Sequence, residues 1–360
     1  MPARKLGKQE LQDIVWGSTV LGSGGGGNPR DGLRLVESIP EITLLDVNEL
    51  PDNARSCFVA AVGAPTALSR VQFGIQAVYA YEGLIRVAAM GGIKVDYIMP
   101  GEIGGLNSIT PLFVAARKNI AVLDSASGRA GPQLSTSLYR IHRLPLSPLV
   151  MADEKGTVIV AYLADPLDIS TVGKITRPLA ASFGNQAGIA TCIIDIATIK
   201  KCLSPGSVTR AEVIGRIIRE ARAAGRDAPS EVIAFTGGKE LFRGTIKKFE
   251  IITAESFDFG KATVQGSGRY HGRTMVLDSK NENMIAWDDG SPIATVPDII
   301  TTMTVSGEPF TNADAKEGME IVVIGIPAPE PYVRTQEGLK VWEDIFTRIG
   351  YRGSYVTPFK

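Results

Sequence analysis

The sequence predicts an α/β domain with a mostly parallel sheet, followed by a β-rich C-terminal domain. Three observations predict it. Through the first 165 residues, short apolar runs alternate with segments of helical period, the order that builds a parallel sheet. From residue 228 onward the runs are short and β-rich, and Gly, Asn and Asp punctuate them at hairpin spacing. The length, 360 residues, accommodates roughly two domains at ~100–200 residues each.

Taken in order, residues 8–21 carry Leu11, Ile14, Val15 and Ser18 at helical spacing and stop at the run Gly22-Ser23-Gly24-Gly25-Gly26-Gly27. Asn28 then caps a second helix, and Pro29 suits its first position. Buried strands are expected over 42–45, 57–62, 95–99, 120–123 and 157–162. Helices are expected over 69–90, 110–117, 168–181 and 188–202. The clearest helix runs over 207–224, with an apolar stripe of Val213, Ile214, Ile217, Ile218 and Ala221. Strands follow at 231–235, 244–252, 261–265, 274–278, 284–287 and 320–326, and a closing helix at 339–349. This places an α/β domain over 1–165 and a second domain over 166–360, helical to 225 and β-rich over 228–330.

Composition narrows the function classes. Lys+Arg and Asp+Glu both number 38, so the formal charge is zero and nothing pulls the chain toward nucleic acid or an acidic membrane. The three cysteines are odd in number and form no CxxC, which fits a reducing compartment. No signal-peptide core follows the basic start, and no apolar run of ~18 residues exists, so a cytoplasmic protein without a membrane span is expected. The two histidines rule out a centre of three imidazoles from one chain. Glycine is abundant, 39 of 360 residues against about 7 % usually.

Two kinds of loop carry chemistry. Gly22, Gly24 and Gly27 satisfy G-x-G-x-x-G, but a helix precedes them where a dinucleotide site needs a strand. The run still exposes backbone N–H groups before a capped helix, where negative charge is favoured. Gly24, Gly25, Gly26, Gly27 and Asn28 are therefore candidate ligand contacts; the competing reading is a tight helix–helix turn. At strand carboxyl ends, where open sheets collect ligands, Pro100–Gly105 offers Glu102, followed by Asn107. The segment 124–130 offers Asp124 as a base and Arg129 as a planar donor for a carboxylate or carbonyl. Alternatively, Glu102 and Asp124 are loop charges or helix caps.

These stretches, with Met151–Glu154, Asn281–Asn283 and Pro297–Ile300, give the chain its resemblance. It resembles the S-methyl-thiohydantoin desulfurase family, whose members occur beside or fused to hydantoinase/oxoprolinase proteins. The resemblance spans nearly the whole chain. It implies an α/β domain followed by a β-rich one, and hydrolysis of a thiohydantoin- or hydantoin-like five-membered ring with loss of a thiol. Water would attack the ring carbon that bears sulfur, a carboxylate would handle the proton, and a divalent metal is compatible with such chemistry. A small-molecule substrate, a homo-oligomer and a hydantoinase-type partner belong to the same expectation. The chain departs from the family pattern in its central segment. A second acid two residues after Asp124 is replaced by Ala126 (or, in a register shifted by one, by Ser125). A Phe-Glu pair flanking the proline is replaced by Gly131 and Gln133. A Gly-rich match is missing near 255–257. The alternative is therefore a non-catalytic small-molecule-binding or accessory subunit.

The remaining reactive side chains read as structural. His271 falls in a turn and His142 in a basic patch, where a general-base role is the lesser reading. Cys57 belongs to an apolar strand, and Cys192 and Cys202 face different sides of one expected helix.

Overall fold

The computed structural model describes residues 3–63, 73–254 and 257–359. Positions 69–72 of one expected helix, and residues 255–256 of the segment lacking the Gly-rich match, lie outside them.

Two sheets organise the chain. The first has eight strands in the order Arg4–Leu6, Ile42–Leu45, Val122–Leu123, Tyr97–Pro100, Arg55–Gly63, Gln186–Asp195, Leu149–Ala152 and Val158–Ala161. Its centre is parallel, from Ile42–Leu45 to Arg55–Gly63, and its flanks are antiparallel. The second sheet has seven strands and is antiparallel throughout, in the order Ser291–Thr295, Glu282–Asp288, Thr274–Lys280, Phe257–Gly266, Lys239–Ala254, Glu320–Ile326 and Ile299–Thr304. The fold class read from the sequence is the one found.

Helices join the two layers. Lys8–Leu21 crosses Ser207–Ala223 so closely that a Cβ on Gly17 would lie 1.7 Å from the Ala211 carbonyl oxygen, and one on Gly215 1.8 Å from that of Asp13. Bare Cα atoms at the crossing are a packing requirement. Arg219 forks onto the Asp13 carboxylate across the same contact, with two N–H donors each 2.9 Å from an oxygen. One apolar cluster runs from Val59 and Ile98 through Ile14 and Ile218 to Ile299 and Ile324, so the core is shared between the sheets.

Three expected elements differ. Residues 188–195 were expected as helix and instead belong to the strand Gln186–Asp195, with the helix reduced to Ile196–Cys202. This strand is buried on both faces between Arg55–Gly63 and Leu149–Ala152, so its apolar run lacks strand alternation. Residues 231–235 belong to the helix Ala228–Thr236 rather than a strand. Its signals are Pro229 in the first turn and Gly237 just past the end at φ 67°. The closing helix is broken into Gln336–Lys340 and Glu343–Arg348. Among the described residues, no helix is long and apolar enough to cross a membrane.

Candidate active site

The loop after Tyr97–Pro100 sits at the carboxyl end of a central parallel strand, where the expected ligand face lies. Two hydrogen bonds hold its Glu102, one of them braced from a neighbouring strand. The Asn107 side chain donates from Nδ2 to Glu102 Oε1 at 2.7 Å, while Asn107 Oδ1 accepts from the Ala61 N–H at 2.8 Å. The Gly131 N–H donates to Glu102 Oε2 at 3.1 Å. Burial pushes the Glu102 carboxyl up from its ordinary range, and the two hydrogen bonds oppose that push.

A cavity of about 980 Å³ opens beside this carboxyl. Glu102, Asn107, Gln133, Tyr139, Arg177 and Phe257 are among its walls. Arg177, from the helix Ile169–Ser182, donates to the carbonyls of Pro132 at 2.8 Å and Gly63 at 3.2 Å. Its guanidinium lies 4.2 Å from the Phe257 ring centroid. Tyr139 donates its hydroxyl to the Gly101 carbonyl at 3.0 Å, fixing the loop from its other side. Phe257 comes from the second sheet, so both layers build the cavity.

Of the residues singled out in the sequence, Glu102 and Asn107 meet in this cavity. Gly131 and Gln133, read as departures, also line it, while the other candidate contacts lie behind its wall or away from it. Gly24, Gly25, Gly26, Gly27 and Asn28 do not line it. The Gly26 carbonyl accepts from the N–H groups of Leu106 at 3.3 Å and Asn107 at 3.2 Å. A Cβ on Gly26 would lie 2.5 Å from the Gly104 Cα. The run therefore allows two backbones to touch and supports the Glu102 loop from behind. Asn28 caps Pro29–Val36, its Oδ1 accepting from the Arg30 N–H at 2.9 Å.

Asp124 does not line the cavity either. Its Oδ1 accepts from the N–H groups of Val208 at 2.8 Å and Thr209 at 3.1 Å, and its Oδ2 from the Thr209 hydroxyl. It satisfies orphan donors at the start of Ser207–Ala223, the cap alternative weighed above. Arg129 is fully buried, donating to the carbonyls of Ala130 at 2.8 Å, Asp298 at 3.0 Å and Pro297. It ties the loop after Val122–Leu123 to the entry of Ile299–Thr304. Of the residues expected to converge on one hollow, Glu102 and Asn107 line the cavity, while Asp124, Arg129 and the glycine run do not.

Sequence reasoning missed Arg177, Tyr139 and Phe257 as cavity walls. Arg177 sits on a helix with an ordinary apolar stripe, and no local pattern marks it. His142 is half-buried, and burial with nearby Arg334 and Lys201 holds its pKa low. His271 is exposed beside the turn Gly268–Tyr270. All three cysteines are free and buried, and burial raises the Cys57 thiol to about 12 and the Cys192 thiol well above its ordinary range. Among the described residues, no three His, Cys, Asp or Glu side chains gather as metal ligands would.

Comparison with known proteins then places the chain. The model of the S-Me-THD-like N-terminal domain matches residues 9–162, and that of the S-Me-THD-like C-terminal domain matches residues 168–351. The chain belongs to the S-Me-THD-like family. The fold of this S-Me-THD-like protein also matches a crystal structure of a protein from Chromobacterium violaceum, with a TM-score of 0.84 and 24 % identity over 98 % of this chain and 99 % of that one. No curated protein matches the chain. Ala126, Gly131 and Gln133, read above as departures, have structural places. Ala126 lies in the two-residue strand Ser125–Ala126, paired with Ser204–Pro205. Gly131 supplies the N–H that holds Glu102, and Gln133 Oε1 accepts from the Lys280 ammonium.

Proposed function

We propose that the protein hydrolyses a thiohydantoin- or hydantoin-like five-membered ring, with Glu102 as general base and acid. The observation that carries this reading is the Glu102 carboxyl itself. It stands at the wall of a cavity large enough for such a ring, is oriented by Asn107 and Gly131, and is raised in pKa by burial. Each carboxylate oxygen has lone-pair capacity beyond the one hydrogen bond it accepts. A base whose pKa moves toward neutrality is suited to proton transfer at physiological pH.

For an S-methyl-thiohydantoin the step balances as follows. The oxygen of water bonds to the ring carbon bearing sulfur, and Glu102 takes one water proton. The carbon–sulfur bond breaks, and Glu102 gives that proton to the leaving thiolate. The second water proton ends on the ring nitrogen, and the ring carbon is left as a carbonyl. Arg177 and Asn107 stand beside the cavity as donors for ring carbonyl oxygens. Thiol release from S-methyl-thiohydantoins, assayed with and without divalent metal, tests the reading. Thiol release by the wild type that is lost in Glu102→Gln supports it; a wild type that releases no thiol and opens no ring overturns it.

The second reading is a non-catalytic small-molecule-binding or accessory subunit of a hydantoinase-type assembly. It is favoured by Gln133, which stands where an acid is expected and is engaged by Lys280. Thermal stabilisation by a hydantoin without product formation supports it. A cytoplasmic location, a homo-oligomer and a hydantoinase-type partner complete the proposal. Fractionation, light scattering and co-purification test these three.

A further inference from the structure

Glu282 is an acid that the proposed chemistry does not use, and its surroundings are unusual. It follows Asn281 in the tight turn between Thr274–Lys280 and Glu282–Asp288, with Lys280 paired to Glu282. The turn is clamped from several sides. The Asn281 N–H donates to the Asp258 carbonyl at 2.7 Å and the Asn283 N–H to the Ser23 carbonyl at 2.7 Å. Asn312 Nδ2 donates to the Asn281 carbonyl at 2.8 Å. This fixes the Glu282 side chain against the glycine run, where a Cβ on Gly25 would lie 2.0 Å from Glu282 Oε1. The bare Cα of Gly25 makes room for a carboxyl group.

That carboxyl is 2 % exposed, and its Oε2 has no hydrogen-bond partner among the described residues. The residue after Gly25, Gly26, meets the Glu102 loop, where a Cβ on Gly26 would lie 2.5 Å from the Gly104 Cα, so one glycine run touches the segments of both acids. Charged groups bear on Glu282 from its surroundings: Glu102 from the 101–108 loop, Arg129 from the 124–132 segment and Arg177 from Ile169–Ser182. From its own hairpin, Lys280 points instead to Gln133 and lies 4.0 Å from the Phe257 ring centroid. Arg129 carries a buried Nη2 with no hydrogen-bond partner among the described residues. A buried carboxylate with an unsatisfied oxygen is costly as an ion, and a second carboxyl close by makes double ionisation costlier still.

We propose that Glu282 is a positioning residue for Glu102: the two carboxyl groups, one from the loop after Tyr97–Pro100 and one from the second sheet, form a single acid–base unit flanked by Arg129 and Arg177. The proposal rests on the reading of Glu102 as the base. Burial first, and the Glu102 charge second, raise Glu282 to about 8. Below that pH Glu282 carries its proton and adds no charge near Glu102. Above it, a second negative charge stands near the base, so turnover falls on the alkaline side.

The test is a pH titration of side-chain carboxyl carbons by NMR in the full-length, glutamate-labelled protein without substrate. The wild type should show two coupled carboxyl steps, the upper near 8. In Glu102→Gln the Glu282 step should remain and move down by about one pH unit, whereas Glu102→Asp, which keeps the charge, should retain both steps. A Glu282 step at the same pH in wild type and Glu102→Gln, or an ordinary carboxylate titration of Glu282 in the wild type, overturns the proposal. The alkaline limb of the wild-type thiol-release profile should be absent in Glu282→Gln. Coupled titration in a protein that releases no thiol would remove the enzymatic reading and keep the carboxyl unit. Thiol release with uncoupled titration would remove the unit alone.

Discussion

Glu102 shows how one residue acquires chemistry from its surroundings. A solvated glutamate would be a poor base at neutral pH. Here burial raises the carboxyl, while Asn107 and Gly131 keep it oriented and usable as an ion. Glu102→Gln preserves shape and the ability to accept one hydrogen bond, yet cannot take a proton. Thiol release should fall by about 100-fold or more with the fold intact, measured by turnover beside circular dichroism. Asn107→Ala should lower turnover as well, because Asn107 joins Glu102 to the Ala61 N–H across two adjacent strand ends. Its mark would be a loss in kcat larger than the change in KM, since an orienting residue acts on the reacting geometry.

At the scale of elements, the helix Ser207–Ala223 depends on two devices. Asp124 satisfies the Val208 and Thr209 N–H groups and the Thr209 hydroxyl from another segment. Asp124→Ala should cost about 1–2 kcal/mol, as a lost helix cap does, and lower Tm in a thermal melt. Because Asp124 lies outside the cavity, kcat measured below the melting range should change far less than in Glu102→Gln. The second device is the bare crossing with Lys8–Leu21. Gly17→Ala puts a methyl against the Ala211 backbone, which a side-chain rotation cannot relieve. It should destabilise by about 1–3 kcal/mol or more, read as a lower denaturant midpoint at unchanged m.

These elements also show what a sequence discloses. The capped helix after Asn28 was legible because its signal is local, an acceptor side chain followed by proline. The helix 207–223 was legible because an amphipathic period extends over many residues. The strand Gln186–Asp195 was not, since burial on both faces erases the alternation that identifies a strand. In the candidate site, Glu102 and Asn107 were legible as a loop at a strand end. Arg177 was not, because a single charge on a helix reads as solvated until packing turns it inward.

For the whole molecule, the buried carboxyl of Glu282 links folding to pH. Its pKa is raised from 4.5 to about 8, so the fold favours the protonated acid. The stabilisation relative to an ionised group is complete below pH 4.5 and is lost as pH rises through about 8. Glu282→Gln does not titrate. The difference in stability between wild type and this variant should therefore shift against the wild type from pH 5 to 8, by an amount on the order of a few kcal/mol. Melts of both proteins at several pH values check this. Parallel curves across the range would show that Glu282 ionises in the folded protein as readily as in the unfolded chain.

The sequence by itself determined the fold class, the change from alternating strand and helix to antiparallel hairpins, and the family. These are written in short windows of period, capping residues and punctuation, which survive without knowledge of what lies across the core. Tertiary structure alone decided which carboxylate enters the cavity. Glu102 and Asp124 follow similar strand ends, but one is turned toward the hollow and the other is claimed by a helix start 84 residues further along the chain. It also decided that Glu282, known from sequence only within the Asn281–Asn283 stretch of the resemblance, stands buried within electrostatic reach of Glu102. Charge, burial and hydrogen-bond supply at a point depend on groups remote in sequence, and only folding brings those groups to one place.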